Sequence, residues 1–277
     1  MTDLASRLVG VVALQEIVLG NPEDSIRGIM RAPAISISAF DDREIAAKIM
    51  ERYGLSVLPV VDSEGALVGI VTGDDIFGVA REETTEDFQK GVAVTPLRIS
   101  IKDAKPALLY KNRVGWLVFL AVVNLISGRL IAAFSNTIAK AVALVSFLPL
   151  LIDSAGNAGS QSATLAIRAL AMGDIETRDW HRVMVREVGL ALALGSTMGA
   201  MVWLISTARV GHLMGMVVGG SLVIVVLLAS MVGIGIPFAF SKFGLDPAAA
   251  SSPLVTSVAD IMGVVVYFTM AKWLLGI

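Results

Sequence analysis

The 277-residue sequence contains no cysteine, which excludes disulfide frameworks, thiolate zinc sites and iron–sulfur clusters. Histidine is almost as scarce: His181 and His212 stand far apart and form no metal-binding pair in sequence. Neither HExxH nor GxSxG occurs, so a zinc protease or a nucleophile-elbow hydrolase embedded in a membrane has no sequence support. Charge is thin beyond residue 105, where only 7 acids and 11 bases are found. Residues 1–105 hold 17 acids against 11 bases, a net charge of −6. That acidic front part argues against nucleic acid as a partner and is compatible with cations. The apolar patch at 8–14 is cut by Glu16 and is followed by no small-residue cleavage site, so no signal peptide is predicted.

What the chain has in abundance is apolar surface, with 55% hydrophobic residues and a mean hydropathy of +0.76. Such a composition indicates a membrane protein. Hydrophobic length predicts five spans at about 114–135, 137–171, 183–206, 212–241 and 251–275. The second is long for one crossing and carries Pro149, Gly156 and Gly159, which predicts a kink or a polar-lined bend. Arg168, Arg178, Arg182 and Arg186 cluster around the connection between spans two and three. By the positive-inside rule this places the amino terminus in the cytoplasm of a multi-pass inner-membrane protein, with the carboxyl terminus external after five crossings.

Ahead of the spans lies an internal repeat. Leu8-Val9-Gly10-Val11-Val12 returns as Leu67-Val68-Gly69-Ile70-Val71. The second copy has a full upstream half: a strand near 34–38, a helix near 42–53, a strand at 55–61 and a turn at 62–65. The first copy lacks one, so the chain is expected to begin inside a module, with an open sheet edge. The predicted fold class is a membrane all-α bundle of five transmembrane helices, preceded by a cytosolic α/β region with a truncated first and a complete second copy.

Asp260 stands alone in the fifth span, about 10 Å from one end of its apolar segment and about 22 Å from the other. A carboxylate at such depth costs about 2.5–3.5 kcal/mol to insert and usually faces a bundle interior or an aqueous path. The favoured reading is a cation site. Thr256, one turn earlier, either shares that site or hydrogen-bonds the carboxylate. In the second span Gly156, Asn157, Gly159, Ser160, Gln161, Ser162 and Thr164 follow Asp153. Small residues there suit close helix packing, which does not account for Asn157 and Gln161. Amides one turn apart suit a water-lined wall, and a bend at Gly156 would expose carbonyl oxygens to an ion, with Asp153 adding a carboxylate nearby. Asp246, before Pro247, reads equally well as a helix N-cap. The acids Asp62, Glu64, Asp74, Asp75, Glu82, Glu83, Glu86 and Asp87 read by themselves as a solvated face.

Two stretches carry a resemblance. LSVLPVVDSEGALVGIVTGDDI at 55–76 resembles a CBS domain. PLLIDSAGNAGSQSAT at 149–164, RALA at 168–171 and DPAAASSPLVTSVAD at 246–260 resemble, in this order, the MgtE family of magnesium channels. The resemblance implies a homodimer with a pore on the two-fold axis, lined by spans two and five, with Asp246 near its inner mouth. It implies Mg2+ as both substrate and regulator, with regulatory ions at Asp62, Glu64 and Asp74. It also implies a connecting helix that carries the state of the CBS region to the pore. The domains are then 1–29 as a remnant of the first CBS copy, 30–90 as the second, 91–115 as the connecting helix and 116–277 as the pore. Thr72 and Asp75 match the Thr-x-x-Asp by which some CBS domains hold a nucleotide ribose, so ATP is a second candidate ligand, although helix capping explains the pair equally well. The expected function is passive, non-enzymatic Mg2+ uptake. The alternatives are a coupled transporter of divalent cations such as Co2+ or Mn2+, and a non-conducting sensor.

Overall fold

A computed structural model describes residues 1–97 and 100–276. The chain divides into two compact units, Met1–Thr85 and Glu86–Ile277.

In the first unit α1 (Leu14–Leu19) and α2 (Ile26–Ile29) precede β1 (Ile37–Ser38), α3 (Arg43–Tyr53), β2 (Val57–Val61), β3 (Leu67–Thr72) and α4 (Gly73–Gly91), which runs past the unit boundary. β1 pairs parallel with β2, and β2 pairs antiparallel with β3. Local chemistry sets the element ends. The Asp42 carboxylate accepts from the Glu44 N–H at 3.0 Å and starts α3, and Gly54 ends it in the left-handed region at φ +61°. Asp62 Oδ1 accepts from the N–H groups of Glu64 and Ala66 and closes the β2–β3 turn, in which Gly65 takes φ +80°. Ile37, Ala46, Met50 and Leu58 are buried together, with Val71 and Ile76 packed on them. The strand, helix, strand, turn and strand predicted for the second copy are therefore present in order.

The first copy differs from expectation. Residues 8–12 form isolated bridges and no regular strand. The Leu8 N–H donates to the Gly65 carbonyl at 3.0 Å and the Leu67 N–H to Ser6 at 2.9 Å, so this segment fastens to the tip of the β2–β3 hairpin. A strand needs a partner along its length, and these residues have one over only a few positions.

The second unit holds α5 (Pro106–Ala133), α6 (Ser135–Lys140), α7 (Leu148–Ala171), α8 (Trp180–Val210), α9 (His212–Lys242) and α10 (Ser252–Leu275). Among the described residues five segments are long and apolar enough to cross a membrane: Pro106–Ala133, Val142–Ala171, Thr177–Val210, His212–Lys242 and Ser252–Leu275. α9 is central and packs against α7, α8 and α10. Glycine permits these approaches: a Cβ on Gly199 of α8 would lie 2.8 Å from the Gly219 carbonyl of α9, and one on Gly159 of α7 would lie 3.1 Å from the Ala229 carbonyl. α5 buries no residue in the chain.

Two expectations are corrected. The break in the second span falls at 141–147, ahead of Pro149, while α7 runs unbroken through Gly156 and Gly159. Pro149 has no N–H to offer the residue four before it, so the helix restarts there. Gly156 therefore exposes no carbonyls by bending. The buried Tyr267 hydroxyl donates to the Leu144 carbonyl at 2.9 Å and satisfies part of the broken turn.

The helix expected at 91–115 is likewise absent as such. α4 ends at Gly91, Ala93 takes φ +58°, and 92–97 and 100–105 carry no helix; Arg98 and Ile99 lie outside the described residues. Pro96 disfavours helical backbone at Thr95, and Pro106 opens α5, which continues without interruption into the first span. Thr95 and Asn112 exchange hydrogen bonds, the Thr95 N–H donating to the Asn112 carbonyl at 3.2 Å and the Asn112 amide to the Thr95 carbonyl at 3.3 Å.

Candidate cation pathway

Asp260 lies about 12 Å into α10, and its Oδ1 is buried without a hydrogen-bond partner. No bond links it to Thr256, so that alternative for the carboxylate is not realised at this oxygen. Gly156 of α7 faces the pair. A Cβ there would come within 2.7 Å of Thr256 Cγ2 and 3.4 Å of Asp260 Oδ1. Glycine is thus needed at 156 for close approach, and not for a bend.

Beside Asp260 opens a cavity of about 440 Å³ between α5, α7 and α10. Its polar lining is Asn124, Ser160, Ser252, Thr256, Ser257 and Asp260, with Val92, Leu120 and Pro253 completing it. Thr164 and Ser252 bring their hydroxyls to 3.2 Å across the α7–α10 contact. Asn124 and Ser257 were not anticipated, although a lone amide in the first span is a readable signal.

α7 has two faces. Ala155, Gly156, Gly159, Ser162, Ala163 and Ala166 are buried, whereas Asp153, Asn157, Gln161 and Thr164 are exposed along one stripe. On that stripe the Asn157 amide donates to Asp153 Oδ2 at 3.1 Å. Asp153, Asn157 and Gln161 therefore lie beside Gly156 in sequence without lining the Asp260 cavity.

Asp246 is not among the residues that line the Asp260 cavity. Its Oδ1 accepts from the Ala248 N–H at 2.8 Å, the predicted cap, and its Oδ2 meets Lys90 Nζ at 2.6 Å. Lys90 also pairs with Glu86 at 2.8 Å. Partial burial alone would lower the ammonium pKa, but hydrogen bonds to Asp246 and Glu86 outweigh it and raise the value. Lys90 is far from Asp246 in sequence, and no local pattern announces the contact. A further unanticipated carboxylate is Glu187 of α8, which accepts from Ser162 Oγ of α7. The argument from depth that singled out Asp260 applies to it as well.

In the first unit the acidic groups are largely engaged locally. Arg43 bridges Glu82 and Glu83, each at 2.9 Å, and bonds to Glu83 and then Glu82 raise its pKa. Asp75 Oδ2 accepts from the Thr72 hydroxyl at 2.7 Å and the Thr72 N–H at 3.1 Å, which holds its pKa below the usual carboxylate value. Both bonds run from Thr72 to Asp75, so the Asp75 carboxylate caps the first turn of α4 by accepting from the residue just ahead of it. Asp62 commits Oδ1 to its turn, and Glu64 and Asp74 are exposed. Among the described residues no three His, Cys, Asp or Glu side chains converge on a point that could hold a metal ion.

Comparison with known proteins agrees with this division. Residues 148–270 match the family model MgtE, a divalent cation transporter, and residues 26–82 match the CBS domain. The magnesium transporter MgtE of Thermus thermophilus is 38% identical over 99% of the chain, that of Bacillus subtilis 34% over 96%, and that of Enterococcus faecalis 31% over 98%. The chain spans 61%, 59% and 60% of these proteins. The crystal structure of the cytosolic domain of the Mg2+ channel MgtE in complex with ATP is 40% identical over 28% of this chain and 32% of that one, with a TM-score of 0.28. Among the described residues a helical bundle with five membrane-length spans coincides with the MgtE family domain at 148–270, a CBS domain precedes it at 26–82, and the chain is similar to MgtE magnesium transporters along nearly its whole length.

Proposed function

We propose that the chain conducts Mg2+ passively across the cytoplasmic membrane as a homodimer, with its first unit cytoplasmic and its carboxyl terminus external. The observation that carries this reading is Asp260 Oδ1, a buried anion-bearing oxygen with no protein partner, beside a cavity lined by hydroxyls and an amide. An unpaired carboxylate in a membrane bundle is costly, and a cation compensates it. Mg2+ surrenders its water reluctantly, so the arrangement suits contacts to a hydrated ion through Asp260, Thr256 and the neighbouring hydroxyls. The exposed polar stripe of Asp153, Asn157 and Gln161 is a poor surface for lipid, and a second copy across a two-fold axis would cover it and double Asp260. No step makes or breaks a covalent bond.

Regulation by Mg2+ at Asp62, Glu64 and Asp74 completes the proposal. Among the described residues of one chain no three acids come together, so an ion there is held largely by its own water or shared with a second surface. α4 is one continuous helix from Gly73 to Gly91, and it takes the connecting role expected of 91–115. Asp246, paired with Lys90 near the end of that helix, belongs to the inner end of the pathway. A ribose of ATP at Thr72 and Asp75 would compete with the two bonds that Thr72 donates to the Asp75 carboxylate.

The test is uptake into vesicles holding purified protein under an imposed Mg2+ gradient. Wild type is expected to carry Mg2+ with no sodium or proton gradient present, and Asp260→Asn to lose most of the flux. Wild-type rates in Asp260→Asn would overturn the role of Asp260. Flux that requires a second gradient would favour coupled divalent transport.

A further inference from the structure

Where α8 begins and α9 ends, a second cavity of about 530 Å³ shares no lining residue with the one beside Asp260. Trp180 and Met184 of α8 and Ile234 and Phe238 of α9 wall it, and Arg178 and Lys242 stand at its edge. Its volume falls within the range of small-molecule sites. Each basic residue has a structural use: Arg178 pairs with Glu176 at 3.0 Å, and Lys242, in the last turn of α9, complements the helix dipole. Neither use accounts for the apolar hollow between them.

We propose that this cavity binds an anionic phospholipid of the leaflet on the side of the 171–180 connection. The position supports it, because the apolar spans leave the hydrocarbon here and Trp180, 45% exposed, suits the headgroup boundary. The division of the lining supports it too: Met184, Ile234 and Phe238 offer contact to an acyl chain, and Lys242 offers an ammonium to a phosphate oxygen. Charge selects among lipids. With Arg178 matched by Glu176, Lys242 leaves one positive charge unmatched by any salt bridge among the described residues. A phosphatidylglycerol-type lipid with net charge −1 neutralises it, whereas a choline headgroup brings its own cation. A soluble anion would leave the apolar walls uncovered.

Full-length protein in phosphatidylcholine vesicles, doped with phosphatidylglycerol, tests the inference through quenching of Trp180 by brominated acyl chains. Quenching absent from Trp180→Phe defines the signal of that residue. Bromine on phosphatidylglycerol is expected to report about fivefold enrichment over bromine on phosphatidylcholine, the value for one basic side chain. Lys242→Gln should bring the two lipids to parity, Arg178→Gln should change the ratio less, and inorganic phosphate should not compete. Equal quenching by both lipids in the wild type, or an enrichment that survives Lys242→Gln, would overturn the proposal. Displacement by inorganic phosphate would overturn it in favour of a soluble anion site. Both basic residues are exposed, so their variants should retain the fold.

Discussion

Gly156 of α7 stands so close to Thr256 of α10 that a single added methyl would sit 2.7 Å from Thr256 Cγ2. The two helices therefore meet at the level of Asp260 on a surface with no room for a side chain. Gly156→Ala should destabilise the bundle by about 1–3 kcal/mol, the usual cost of overpacking, and should reduce Mg2+ flux. Thr256→Ser removes the clashing methyl, so the double variant is expected to regain much of the lost melting temperature in detergent. Failure to do so would mean that the contact is not limiting.

Asp246 does two jobs, and two substitutions separate them. Asp246→Asn keeps a good cap for the Ala248 N–H and loses only the charge that meets Lys90. Asp246→Ala loses both. Thermal unfolding should show the alanine variant about 1 kcal/mol below the asparagine one.

Lys90 carries a raised pKa, so its pairing stabilises the folded chain fully below the ordinary lysine value of 10.5 and is lost only as pH climbs through the higher folded value. The stability difference between wild type and Lys90→Met should accordingly be flat from about pH 7 to 9 and shrink in strong alkali. Melting curves across that range check this; a difference that shrinks below pH 9 would contradict the assignment.

Ser162 of α7 donates to Glu187 of α8. Ser162→Ala leaves a partly buried acceptor without its donor and should cost about 1–3 kcal/mol, while Glu187→Gln keeps an acceptor and should cost less. Melting temperatures of the two variants in one detergent provide the comparison.

Asp75, its pKa lowered by Thr72, stabilises the start of α4 above the ordinary Asp value of 3.8, and this is lost as pH falls through the lower folded value. Amide exchange in the first turn of α4 should quicken in that acid range, and Thr72→Val should move the onset to higher pH.

Much of this was legible in the sequence, for reasons that differ by element. The spans were found because a hydrocarbon layer demands length and apolarity, both of which are properties of one segment. α3 agrees with the helix expected near 42–53, and the Asp42 and Gly54 caps that bound it act through neighbours in the chain. Asp260 was visible because its depth made an unexplained charge conspicuous. The break before Pro149 was misplaced toward the glycines, because sequence alone does not say whether a glycine serves a turn or an approach. The helix expected over 91–115 fails at Ala93 and Pro96, while α4 extends from Gly73 to Gly91.

The sequence by itself determined the order of elements in the second CBS copy, the five membrane-length spans and the isolation of Asp260 in the last of them, since hydropathy, turn chemistry and charge at depth act through neighbouring residues and the surrounding medium. Only the tertiary structure decided that Gly156 abuts Thr256, that Lys90 reaches Asp246, that Ser162 serves Glu187, and that Asn157 looks outward from the Asp260 cavity. The rotation and height of one helix against another follow from packing on all their faces at once, and no single segment carries that information.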